Sequence, residues 1–248
     1  MNPSAPIIKG LIKIHKPEHP IRPVLNWRNT LAYKLTGLLT CEIKRLAPPP
    51  TIYISNTTDP VNKLKDTPTL PHYGLASLDI PNFYTNIPVN ETRDIIFNTL
   101  EHLQLDPQTR QELLGWYDVI TQQNYFNSNG EILIQKEGLA MGAPTSGFLA
   151  EYFLQHLEQL HIPHLSDKRE IIKYFWYVYD ILVIYDTNHS DVQNTLKDFN
   201  KMHPKLKFTA ECDKNNQMNF LDITINITYT DWRITAYRKP TFTDKIIP

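Results

Sequence analysis

Residues 174–185 read YFWYVYDILVIY, and eleven of the twelve side chains are aromatic or aliphatic. The exception is Asp180. An ionised carboxylate among such neighbours costs several kcal/mol unless it is paired or holds a cation. Two short strands, 174–178 and 181–185, with the acid at or near their joint, account for the pattern. A second apolar strand, YGLASLDI at 73–80, also ends in one acid, Asp79. Strands that each offer a lone carboxylate can bring the two together on one sheet. Adjacent carboxylates repel unless a cation neutralises them. Magnesium takes oxygen ligands and often uses one or two carboxylates with substrate phosphates. A pair of such ions ~4 Å apart activates an attacking hydroxyl and stabilises a leaving oxygen. The commoner role of strand-end aspartates, a turn or a cap, stays open on these residues alone.

Outward from this stretch, strands and helices interleave irregularly. A helix from about Leu31 ends at the prolines Pro48–Pro50, and DTPTLP (66–71) is a loop before the first apolar strand. Asn90 caps a helix running to about Leu103, with Val89, Ile95, Ile96, Leu100 and Leu103 mostly on one face. YFNSNGEILI (125–134) is a hairpin turning at Asn129-Gly130. Residues 147–160 have helical spacing, and Pro163 stops that helix. Ser190 and Gln193 form a capping box for a helix bearing Val192, Leu196 and Phe199. LKFTAE, NFLDITINI and WRITAY are further strands, with Leu221, Ile223, Ile225 and Ile227 alternating in the second. The pattern is α+β: an antiparallel sheet with helices packed on one face.

Composition narrows the function. The 248 residues suffice for one large or two small domains, and net charge is −1. Up to Pro48, however, eight Lys and Arg face only Glu18 and Glu42. A basic segment of this kind is a common footprint of phosphate contact, or else a solvated face. Two cysteines give no disulfide framework, which points to an intracellular protein, nuclear or cytoplasmic. No cluster has zinc-ligand spacing, and no apolar run is long enough to span a membrane. Lys13, Lys16 and Arg22 lie in the extended, proline-rich IKIHKPEHPIRPV, where they suit a triphosphate. GLAMGAPTS (138–146) places two glycines and a proline before a helix, and glycine lets backbone approach a base or sugar closely.

Six stretches, LIKIHKPEHPIRPV, LDIPNFYTNIP, GLAMGAPTS, YVYDILVI, FLDITI and YRKPTFTD, occur in this order from Leu11 to Asp244. Together they resemble the reverse transcriptases of Penelope-like retroelements. The resemblance implies the fingers and palm of a right-hand polymerase. Residues 1–72 would form a basic fingers segment and proline-rich linker. Residues 73–248 would form the palm, with a fingers insertion at about 89–136, ending before a complete thumb. It implies RNA-directed DNA synthesis with two Mg2+ ions (or Mn2+), an RNA template, a DNA primer and deoxynucleoside triphosphates. Asp79, the Ile80 carbonyl and Asp180 match metal ligands, and Tyr84 matches the aromatic gate that excludes a 2′-hydroxyl. Lys13 and Arg22 match triphosphate contacts. Met141, Gly142 and Pro144 match the loop beneath template base and incoming nucleotide. Lys214, with Lys207 as its rival, stands near a proton donor to pyrophosphate. Phe220 and Leu221 begin a strand resembling the primer grip.

Two positions depart from the family. Its hairpin carries two consecutive aspartates, and here Tyr179 stands at the first. A phenol with pKa ~10 is no comparable ligand for magnesium. Trp176 replaces a usual basic residue. These departures imply weak or absent polymerisation. They leave a catalytically dead nucleic-acid-binding remnant as the alternative, and a metal-dependent phosphodiesterase as a more distant one.

Overall fold

A computed structural model describes residues 3–14, 18–49, 56 and 58–238. Lys16, Pro50 and most of YRKPTFTD lie outside the described residues. In chain order the elements are β1 (Ile7–Ile12), β2 (Ile21–Asn26), α1 (Tyr33–Leu46), α2 (Thr58–Lys65), β3 (Tyr73–Asp79) and α3 (Phe83–Asn86). Next come α4 (Val89–His102), α5 (Pro107–Gln122), β4 (Tyr125–Ser128), β5 (Glu131–Ile134), α6 (Ser146–Arg169), β6 (Ile171–Tyr177) and β7 (Asp180–Asp186). The last are α7 (Val192–Phe199), β8 (Thr209–Cys212), β9 (Gln217–Phe220), β10 (Ile223–Ile227) and β11 (Trp232–Ala236). Among the described residues no helix is long and apolar enough to cross a membrane.

The chain divides into two compact units. One comprises the described residues of Met1–Lys13, Pro20–Thr51 and Asn82–Leu157; the other those of Ile14–His19, Ile52–Pro81 and Glu158–Pro248. In the first, a four-stranded sheet runs in the order β2-β1-β4-β5. The hairpin at Asn129-Gly130 forms as its sequence predicts, with both residues at positive φ. Helices α1, α4 and α5 bury Leu39, Ile43, Leu100, Leu114 and Tyr117. Each such side chain contributes ~1.5–3 kcal/mol of burial.

In the second unit, an antiparallel sheet runs β6-β7-β3-β8. One face presents Tyr73, Leu75, Phe175, Leu182 and Ile184. They form a single buried cluster with Leu64 of α2 and with Met218, Phe220, Ile223, Ile225 and Ile227 of a three-stranded sheet, β11-β10-β9. Alternation gives the opposite face to Tyr174, Trp176, Ile181 and Val183. There Tyr174 stacks on Phe199 of α7 and donates its hydroxyl to Glu158 of α6. The α+β reading therefore holds: helices cover one face and a small sheet covers the other.

Four local expectations are corrected. NFLDITINI is not one strand: Leu221 (φ 53°) and Asp222 form a two-residue turn between β9 and β10. Phe220 thus ends a strand and Leu221 turns the chain. Pro163 does not stop its helix. A proline costs a helix ~3 kcal/mol, but Leu157, Ile162 and Leu165, buried around it, hold α6 through to Arg169. Asn90 is no cap, because α4 already starts at Val89 behind Pro88, whose fixed φ suits a helix entry. At α7 the cap is Asp191, one residue after Ser190. Its carboxylate accepts the Asn194 N–H at 2.8 Å, and a negative charge suits a helix N-terminus better than a hydroxyl does.

Candidate active site

The register of the second unit sets the two acids side by side. Asp79, the last residue of β3, pairs with Asp180, the first of β7. The β6–β7 turn contains two residues, so Tyr177 and Asp180 exchange the hydrogen bonds that close it. Asp180 therefore directs its backbone toward β6. Its pairing with Asp79 is the narrow, non-hydrogen-bonded kind, with Cα atoms ~4.5 Å apart and side chains on one face. Asp79 in turn pairs with Thr209 of β8, whose hydroxyl donates to the Asp79 carbonyl at 3.4 Å. One row thus crosses the sheet: Tyr177, Asp180, Asp79, Thr209. Both acids are half-buried, and Ile80 beyond them is buried. The sequence reading missed Tyr177 and Thr209. Tyr177 was within reach, since a two-residue turn must pair it with Asp180. Thr209 needed the β8 register, which no local signal supplies.

Tyr179 lies in the β6–β7 turn and Trp176 in the strand before it. Val178 has φ 56°, a left-handed conformation costing a β-branched residue ~1–2 kcal/mol. Trp176 is fully buried, and its indole N–H donates to the Val178 carbonyl at 2.8 Å. The tryptophan thus braces the strained turn from below. Tyr179, half-buried, occupies the other turn position. Among the described residues, no three His, Cys, Asp or Glu side chains gather as a cation site. The donor set is two carboxylates. That satisfies the protein's minimal share of one magnesium site, without a third acid to share between two ions. Asp186 does not supply it: six residues along β7, ~20 Å away, it pairs with Tyr73 and contacts His72 and His189.

In the first unit, one loop joins Tyr84 to strand β2. Tyr84 lies in α3, half-buried, its ring 5.4 Å from that of Phe83. Its carbonyl accepts the Leu139 N–H at 2.8 Å. Gly138 (φ +71°) lies so close to this turn that a Cβ would sit 2.2 Å from the Thr85 carbonyl oxygen. On its other side the loop meets β2: the Leu25 N–H donates to the Met141 carbonyl at 2.7 Å. A Cβ on Gly142 would reach within 2.2 Å of the Leu25 oxygen. The loop closes on itself where the Ser146 hydroxyl donates to the Ala140 carbonyl, and Pro144 lies within that closure. Arg22 is on β2 itself, and the Lys13 N–H donates to Pro20 at the same hairpin. The loop of Met141, Gly142 and Pro144 is thereby bonded both to the Tyr84 turn and to Leu25 of β2, whereas Arg22 and Lys13 lie ~10 Å and ~17 Å along that hairpin from Leu25.

Lys214 is placed away from the acids. It opens the β8–β9 turn over Asn215 and Asn216, both at positive φ, five residues beyond Thr209. At ~3.3 Å per residue this is ~17 Å from the row. Lys207, two residues before Thr209, lies at the acid end. Phe220 is buried in the sheet cluster, and Leu221 packs against it from the turn.

Comparison with known proteins agrees with this architecture. The family described as reverse transcriptase (RNA-dependent DNA polymerase) matches residues 14–238. No curated protein matches the chain in sequence. Among solved structures, truncated apo telomerase from Candida tropicalis superposes with TM-score 0.62 at 14% identity, covering 93% of this chain and 54% of its own. Telomerase from Candida albicans, in complex with a fragment of telomeric RNA, gives 0.65 at 11%, covering 96% and 47%. The RNA-dependent RNA polymerase of a human picobirnavirus gives 0.57 at 15%, covering 90% and 43%. This chain spans about half the length of these neighbours. At such identities the likeness establishes the fold, a polymerase fold of fingers and palm type. The sequence match extends over nearly all of the chain and includes both acid-bearing strands, so the chain belongs to the reverse transcriptase (RNA-dependent DNA polymerase) family.

Proposed function

We propose that this chain is the fingers and palm of a Penelope-like retroelement reverse transcriptase whose RNA-directed DNA synthesis is crippled at Tyr179. The observation that supports this most is the Asp79–Asp180 pairing with a tyrosine in the adjoining turn. In this reading the second unit is palm and the first is fingers. Asp79, Asp180 and the Ile80 carbonyl hold divalent magnesium or manganese. When bound, such ions activate the primer hydroxyl and stabilise the leaving pyrophosphate. Lys13 and Arg22 bind the triphosphate of a deoxynucleotide, and Tyr84 excludes ribose. The loop of Met141, Gly142 and Pro144 supports the template RNA base. Lys207, rather than Lys214, donates a proton to pyrophosphate. Phe220 and Leu221 brace the DNA primer. The intruding Tyr179 leaves the acid pair without its third carboxylate.

The test is primer extension on an RNA template, with Mg2+ and then Mn2+, comparing the unmodified chain with Tyr179→Asp. A lost metal ligand worth several kcal/mol corresponds to a rate ratio on the order of 10²–10³ in favour of the variant. Equal, measurable extension by both chains refutes the role given to Tyr179. The second reading, a binding remnant, is favoured by the same tyrosine. It predicts that both chains are inert yet bind primer–template with an affinity that falls steeply with salt. Cleavage without added nucleotides would instead identify a phosphodiesterase.

A further inference from the structure

We propose that two copies of this chain pair antiparallel through the open edge of β5, centred on Leu133, joining their four-stranded sheets into one of eight strands. The order β2-β1-β4-β5 leaves two edges. The β2 edge carries Pro23, with Pro20 just before it, and proline blunts an edge because it has no N–H to offer. The β5 edge has no such guard. Ile132, Leu133 and Ile134 are 57%, 43% and 67% exposed, and an exposed aliphatic edge is a template for another strand.

Hairpin geometry decides which groups are open. The turn at Asn129-Gly130 has two residues, so Ser128 and Glu131 exchange the closing hydrogen bonds. Alternation directs Leu133 and Gln135 toward β4 as well, and the Gln135 N–H donates to Asn124 at 2.7 Å. The N–H and C=O of Ile132 and Ile134 therefore face outward.

Two identical antiparallel strands are related by a two-fold axis normal to the sheet. With outward groups meeting outward groups, that axis lies between the two copies of residue 132, 133 or 134. At Ile132 it sets Ile134 against Gly130. At Ile134 it sets Ile132 against Lys136. At Leu133 it sets Ile132 against Ile134 twice, Leu133 against Leu133, and Glu131 against the Gln135 amide. Only this register matches every aliphatic side chain with another and opposes no like charges. The edge is complementary to itself, which selects a second copy as its occupant.

Sedimentation of the full chain tests the proposal. The expected mass is about 58 kDa, twice 28.9 kDa, reached below ~100 µM. Ile132→Lys with Ile134→Lys returns the monomer, and Ile21→Lys on the opposite edge leaves the dimer. In a Cys41→Ser, Cys212→Ser background, Leu133→Cys forms a disulfide between copies on oxidation, since opposed residues of a narrow pair meet the required Cα separation. Lys136→Cys does not. A chain monomeric at every concentration up to that limit overturns the proposal. So does a dimer that survives the double substitution, or one that cross-links equally through residue 136.

Discussion

Burial of Glu158 makes the stability of the second unit depend on pH. The side chain is 1% exposed, on α6 beneath β6. Its Oε1 accepts the hydroxyl of Tyr174, and among the described residues its Oε2 has no partner. Burial pushes its carboxyl up from the ordinary 4.5 to about 8, with the Tyr174 hydrogen bond opposing. The folded chain therefore keeps this proton between pH 4.5 and about 8, while the unfolded chain releases it. Stability falls as pH rises through that window, by ~1.4 kcal/mol per unit. The loss is about 3 kcal/mol at neutrality and about 5 kcal/mol once the folded group ionises. Glu158→Gln keeps the shape and removes the charge. Urea unfolding of both chains near pH 5, 7 and 9 is the assay. The variant should match the parent at the lowest pH and exceed it by roughly 3 kcal/mol at pH 7 and more at pH 9. A difference that does not change with pH would refute the reasoning.

Four further substitutions test particular contacts. Gly138→Ala drives a Cβ into the Thr85 carbonyl at positive φ and should lower stability by about 2 kcal/mol. Gly147→Ala, with nothing within 4 Å in α6, should be neutral or stabilising in the same urea titration. Val178→Asn replaces a β-branched residue at φ 56° with one that tolerates it, and should add about 1 kcal/mol; a loss would contradict the strain assigned to the turn. At Asp198, burial opposes ionisation, but hydrogen bonds from Lys168 and Arg169 outweigh it and hold the carboxyl down to about 2. Its stabilisation is present above the ordinary 3.8 and is lost as pH falls through about 2. Asp198→Asn should lower stability by about 2 kcal/mol near neutrality, converging with the parent in acid.

The core strands could be read from the sequence because their patterns are nearly continuous. YGLASLDI and YFWYVYDILVIY are too apolar for surface segments, and each carries a single acid, near the end of the first and at the joint of two strands in the second. Their pairing follows once both lie on one sheet. What failed was punctuation. The alternation of Leu221, Ile223, Ile225 and Ile227 runs on through the Leu221-Asp222 turn, because Leu221 packs from the turn against the same cluster as the three isoleucines; no glycine or asparagine stands in the turn itself. Pro163 is tolerated through tertiary burial that local propensity does not record. The convergence of Tyr84, Leu25 and Met141 depends on backbone bonds between segments far apart in sequence, and the motifs alone gave their order but not their contact. Trp176 read as a lost basic residue, yet its indole is the donor that braces Val178.

Titration with Mn2+, followed by electron paramagnetic resonance, tests the acid pair most directly. The unmodified chain should bind the ion weakly, Asp79→Asn and Asp180→Asn should each abolish binding, and Tyr179→Asp should tighten it at least tenfold, or ~1.4 kcal/mol. Binding that is indifferent to both asparagine variants, or no tighter in Tyr179→Asp, would contradict the account.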